Sequence, residues 1–147
     1  MSMSLVAGLD LGSTGIKILV SDSSGSEVLI EQLATPWTHG AGGTTDMAAD
    51  DLLDTVRHLV EIVARRLPDV TGDPNARLDA VAVSGMGETG FLVDAGLEVV
   101  APAFAWFDPR GGEQVAALPE PLRAAFAATT GIPLGVQVSV AKILHLQ

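Results

Sequence analysis

The sequence predicts an α/β layered domain. Three observations predict it: an opening run of short apolar segments separated only by turn residues, a long stretch with helical spacing, and a return to strand-like segments before the chain turns helical again.

The first strand is expected over residues 5–10 and the second over residues 16–22. Between them lie only Leu11, Gly12, Ser13, Thr14 and Gly15, which are turn residues. A second turn, Ser23-Ser24-Gly25-Ser26, leads to a third strand over residues 27–34, so the chain opens as a three-stranded meander. Residues 36–45, punctuated by Gly40, Gly42 and Gly43 and without periodicity, read as a loop. The helix that follows places Leu52, Val56, Leu59, Val60, Val63 and Leu67 on one face. Asp46, Asp50 and Asp51 crowd its start and Arg65 and Arg66 its end, as the helix dipole favours, and Pro68 is expected to stop it. A buried strand is expected over residues 79–84 and another over 91–94, with Ala95-Gly96 as a turn. From Glu113 the pattern is helical, interrupted at Pro119, Pro121 and Pro133, and residues 139–147 read as a last helix.

Composition narrows the function. The 147 residues are 48% apolar, enough for an ordinary domain with a real core. The net charge of −10 argues against binding nucleic acid, whose affinity rests on Lys and Arg, and against docking on an anionic membrane. The absence of cysteine excludes disulfides and thiolate metal sites. The first residues carry no basic leader, and a cytoplasmic protein is expected.

The segment Gly8-Leu9-Asp10-Leu11-Gly12-Ser13-Thr14-Gly15-Ile16-Lys17 concentrates the chemistry. Two glycines flank two hydroxyls at a tight turn, where successive N–H groups can face a common hollow and bind phosphate oxygens. Asp10, ending the incoming strand, is suited to Mg²⁺, which takes few carboxylates and keeps several waters. A Walker loop is excluded because no Gly-Lys pair exists, and a dinucleotide fingerprint because the turn leads into a strand. A plain hairpin turn is the competing account. Lys17, one of two lysines, either faces the phosphates or stands solvated on its strand. His39, His58 and His145 show no metal-ligand spacing.

Taken together, four blocks resemble the FGGY carbohydrate kinases, which include xylulokinases, glycerol kinases and gluconokinases. They are Gly8 onward to Val20; Thr45-Asp46-Met47 with the helix after it; Val83-Ser84-Gly85-Met86-Gly87-Glu88-Thr89-Gly90 with the next four residues; and Ala101-Pro102-Ala103-Phe104-Ala105-Trp106-Phe107-Asp108-Pro109-Arg110. The turn Thr130-Gly131-Ile132-Pro133 and Lys142 extend the likeness.

The resemblance implies an actin-like ATPase (ribonuclease H-like) fold, ATP and Mg²⁺ as cofactors, and a small sugar or polyol as substrate. It implies nucleotide contacts by Asp10, Gly12, Ser13, Thr14 and Lys17, with Asp10 as the metal ligand. It implies substrate contacts by Gly87, Glu88, Trp106, Asp108 and Gln137. Glu88 falls where glycerol kinases carry a substrate-binding glutamate, and Gly87 departs from the larger residues found there. Trp106 serves as a pocket wall or a core aromatic, Glu88 as a pocket acid or a solvated one, and Asp108 with Arg110 as pocket flank or ion pair. The general base of the family is an aspartate expected beyond Gln147. Residues 1–147 are thus expected to be the first portion of the N-terminal kinase domain, inactive alone and able to self-associate. A chaperone-like member of the same ATPase superfamily and a sugar-binding module without catalysis are the alternatives.

Overall fold

The computed structural model describes residues 4–147. It divides into two compact units, one made by the chain up to Pro36 with Asp50–Met86, the other by Trp37–Ala49 with Gly87–Gln147.

The first unit is a four-stranded sheet with one long helix. Strands β1 (Leu5–Leu11), β2 (Gly15–Asp22) and β3 (Glu27–Ala34) form the expected antiparallel meander. Strand β6 (Ala80–Gly85) joins the other edge of β1 in parallel, giving the order β3-β2-β1-β6. Alternation along each strand sends Leu5, Ala7, Leu9, Ile16, Ile18, Val20 and Leu29 to one face. There they meet Leu59, Val63 and Leu67 of α1 (Ala49–Thr71). At about 25 cal/mol per Å² of apolar surface removed from water, this face supplies the unit's main stabilisation. The opposite face leaves Val6, Leu19 and Ile30 exposed. Asp79 ties the strand starts together, accepting bonds from Ser4 Oγ at 2.7 Å and Leu5 N at 3.1 Å.

Three expectations need correction. Helix α1 runs through Pro68 to Thr71 instead of stopping before the proline. The ring lies in the last turn, where it removes one backbone bond, while Leu67 stays buried and its carbonyl accepts Thr71 Oγ1 at 2.7 Å. The helix ends instead at Gly72, whose φ of 69° suits a residue without Cβ. Val60, about 100° around the helix from Leu59, is exposed. Strand β6 is not buried: Val81 and Val83 are 53% and 64% exposed. Register puts them beside Ala7 and Leu9, but among the described residues β6 is the sheet's edge.

The second unit holds a small sheet, β4 (Thr38–His39), β5 (Thr45–Met47) and β9 (Ala103–Phe104), in the order β4-β5-β9. The expected loop at 36–45 therefore contributes strand residues on either side of a 3₁₀ turn, Ala41–Gly43. A hairpin of β7 (Leu92–Val93) and β8 (Val99–Ala101) turns on Asp94, whose Oδ1 accepts the N–H groups of Gly96 and Glu98. Helices α2 (Gly112–Ala117), α3 (Glu120–Thr130) and α4 (Ser139–Leu146) complete it. Pro121 falls in the first turn of α3, where its missing N–H costs nothing.

Candidate functional sites

The first site is the β1–β2 hairpin. Its turn needs Gly12 for close approach: a Cβ there would stand 2.8 Å from the Gly15 carbonyl oxygen and 3.3 Å from Asp10 Oδ2. Thr35, buried just after β3, holds the turn from behind by donating its hydroxyl to Gly12 O at 2.6 Å. Thr14 is exposed and Ser13 half-buried. Strand register sets Asp10 opposite Lys17 on one side and Ser84 on the other. The three line one hollow of about 260 Å³ on the sheet face away from α1. Ser84 Oγ donates to Asp10 Oδ1 at 3.1 Å, which orients the carboxylate. One exposed carboxylate beside hydroxyls is a donor set that fits Mg²⁺, and no cluster of three or more acidic, His or Cys ligands occurs among the described residues.

The second site lies in the other unit. Glu88 lines a cleft of about 200 Å³ together with Ser139, Lys142 and apolar side chains that include Phe91, Phe104 and Ile143. Its Oε2 accepts both the Ser139 N–H and the Ser139 hydroxyl, each at 2.6 Å. These bonds, the hydroxyl first, hold the Glu88 carboxyl below its ordinary value. They also cap α4, whose own N-cap, Val138, offers no side-chain acceptor.

The remaining expected substrate residues stand elsewhere in this unit. Gly87 is exposed, and nothing lies within 4 Å of where its Cβ would be. Trp106 is 42% exposed, so it is not a core aromatic; it packs edge-on against Phe107 at 5.3 Å and does not line the Glu88 cleft. Gln137 is half-buried and donates to the Pro133 carbonyl at 3.1 Å.

Asp108 corrects the expectation of a substrate contact. It is fully buried, and its oxygens are committed to the Thr45 N–H at 2.6 Å and to the Arg110 backbone and guanidinium. Burial pushes its carboxyl up, and the bonds from Arg110 and Thr45 outweigh this to hold it at about 2. Arg110 also pairs with Asp46 and stacks 3.8 Å over the Phe104 ring. Lys142, nearly buried, donates to the carbonyls of Asp108 and Arg110, and burial lowers its pKa. Ion pairing, one of two accounts open to Asp108 and Arg110, is the one the geometry shows.

Sequence reasoning overlooked Thr35, Ser84 and Ser139, hydroxyl residues that each hold a site residue from a distant point in the chain. Only the Ser139 position, opening a helical pattern, carried a local signal.

The model of the FGGY family of carbohydrate kinases, N-terminal domain, matches residues 5–147. The chain belongs to this family. Among curated proteins, this FGGY chain is 27% identical over 144 residues to the erythritol kinase of Brucella abortus (strain 2308), covering 97% of the chain and 27% of that protein. It therefore spans little more than a quarter of the length of this relative. Among solved structures, the xylulose kinase of Rhodospirillum rubrum is 26% identical with a TM-score of 0.76, over 95% of this chain and 28% of that one. The Plasmodium falciparum glycerol kinase with ADP is 18% identical with a TM-score of 0.81, over 97% and 28%. The FGGY fold, an actin-like ATPase fold, is thus the one the resemblance implied, and kinase-family membership sets aside the chaperone-like alternative. No described helix is long and apolar enough to cross a membrane.

Proposed function

We propose that this chain serves an ATP-dependent phosphorylation of a sugar or polyol hydroxyl, supplying the first phosphate-binding motif and part of the sugar pocket. The observation that carries this is the β1–β2 hairpin, where a strand–glycine turn–strand sets Asp10 against Gly12 and opposite Lys17. In the reaction the substrate oxygen bonds to the γ-phosphorus of ATP, the bond from that phosphorus to the bridging oxygen breaks, and ADP leaves. The hydroxyl proton passes to a general base, which we do not place within residues 1–147. Mg²⁺, when bound, neutralises charge on the phosphates. Asp10 holds it, with Ser84 fixing the Asp10 carboxylate, while the Gly12, Ser13 and Thr14 turn and Lys17 contact phosphate oxygens. Glu88 accepts substrate hydroxyls and Gly87 leaves room beside it, while Trp106 and Gln137 stand outside the cleft that Glu88 lines. Asp108 instead holds the loop frame through Arg110 and Thr45.

Phosphoryl transfer needs contacts on both sides of the γ-phosphate, and the hairpin offers one. The chain alone is therefore proposed to bind without turning over. The cysteine-free composition and MgATP dependence suit the cytoplasm. The uncovered edge of β6 supports self-association. Calorimetric titration with ATP, with and without Mg²⁺, beside a coupled kinase assay tests the reading. Mg²⁺-dependent nucleotide binding without turnover is expected; no nucleotide binding under any condition defeats it.

A further inference from the structure

We infer that Thr35 is a positioning residue for the nucleotide: its buried hydroxyl sets the direction of the Gly12–Ser13 peptide and so aims the Ser13 N–H at phosphate. This rests on the reading that the β1–β2 turn takes phosphate oxygens.

Thr35 stands on the buried side of the sheet. The alternation of β3 continues from Leu29 and Leu33 to Thr35, which is 7% exposed, whereas Asp10 and Lys17 line the hollow on the open face. From the buried side its hydroxyl donates to Gly12 O at 2.6 Å, and its backbone N–H reaches Thr14 O at 3.5 Å. One residue thus takes two carbonyls of the turn. In a planar trans peptide the carbonyl and the following N–H point in opposite directions, and no described peptide bond is cis. Gly12 O, drawn toward Thr35, therefore turns the Ser13 N–H the other way, to the open side where Asp10 and Lys17 stand.

The clamp is itself held in place. Pro36 confines Thr35 to extended backbone, and branching at Cβ restricts its side chain to few rotamers. Gly12 is the opposite case, a residue without Cβ and with wide conformational freedom, and the nearby Gly15 carbonyl leaves no room for a larger one. Without the Thr35 hydroxyl the Gly12–Ser13 peptide has no side-chain anchor, and an arriving phosphate has to order it. Ordering the peptide beforehand removes that cost from binding. A methyl group in place of the hydroxyl also leaves Gly12 O facing a buried apolar neighbour, which favours turning the peptide away.

Calorimetric titration of MgATP into the 147-residue chain and its Thr35 variants tests this. Thr35→Val and Thr35→Ala remove the hydroxyl, the first keeping the side chain's shape, and in each that folds by circular dichroism affinity is expected to fall about tenfold. Thr35→Ser keeps the hydroxyl and should bind within about threefold of the unmodified chain. The Ser13 amide resonance reads the contact directly: saturating MgATP should shift it in the unmodified chain and in Thr35→Ser. Affinity unchanged by loss of the hydroxyl, or lost equally in Thr35→Ser, overturns this inference and leaves the nucleotide reading standing. A Ser13 resonance that MgATP leaves in place, with binding seen by calorimetry, does the same. No MgATP binding by the unmodified chain overturns the placement of phosphate at the turn and the role of Thr35 with it.

Discussion

Asp108 accepts a hydrogen bond from the backbone N–H of Thr45 across 63 residues of chain, and thereby locks the loop that carries Arg110 to strand β5. Removing that carboxylate leaves the Arg110 guanidinium and the Thr45 N–H without their main partner. Asp108→Ala is expected to cost about 3–5 kcal/mol, the usual penalty for breaking a buried pair from one side. Urea unfolding at pH 7 reads this directly; a loss within about 0.5 kcal/mol of zero would show that the lock is idle.

The same residue sets an acid limit. Its folded pKa of about 2 lies below the unfolded value of 3.8, so the stabilisation is fully present above about pH 4 and is lost as pH falls toward 2. The shift corresponds to about 2 kcal/mol. Asp108→Asn should flatten the stability profile between pH 4 and pH 2, measured by thermal unfolding along a pH series.

Gly12→Ala separates binding from folding. Its Cβ would be 2.8 Å from the Gly15 carbonyl, so the turn must open. Since Gly12 lies in a turn outside the packed core, we expect the melting temperature to move by only a few degrees while nucleotide affinity drops about tenfold or more. Unchanged affinity would remove the turn from the nucleotide site.

Asp10→Asn isolates the metal. The variant keeps a hydrogen-bonding partner for Ser84 but loses the charge that draws a divalent cation. The Mg²⁺-dependent part of ATP binding should vanish, while the metal-independent part stays within about twofold. Mn²⁺ titration followed by water proton relaxation gives a readout independent of turnover.

Self-association is expected at the edge of the first sheet. Val83, 64% exposed on β6, lies on a strand that among the described residues is bonded on one side only. Sedimentation velocity should show concentration-dependent growth for the unmodified chain, and Val83→Lys should suppress it, as edge lysines do in sheets generally. Identical profiles for the two proteins would place any association elsewhere.

The meander, the long helix and the hairpin site were legible because each depends on local signals: alternation, a 3.6-residue period, and glycines at a turn. Long-range pairing was not. Nothing near Val81 or Val83 in sequence shows that β6 stands at an edge, since an apolar run looks alike whether or not a neighbour covers it. Pro68 misled because its effect depends on its place within the last turn, and Gly72 was the better terminator. Resemblance singled out Glu88 but could not show that Ser139, 51 residues on, would hold its carboxylate. Asp108 followed the same pattern in reverse, since its burial is visible only once Thr45 and Arg110 are around it.

The Lys142 ammonium ties down the carbonyls of Asp108 and Arg110 from 34 and 32 residues downstream. During translation this imposes an order. The strands of the first sheet are all present once residue 85 has left the ribosome, whereas the 108–110 loop has to wait for α4 to emerge. For that interval the nascent second unit holds the 108–110 loop only through the Asp108–Arg110 pair and the Thr45 N–H, without the ammonium that later clasps the two loop carbonyls.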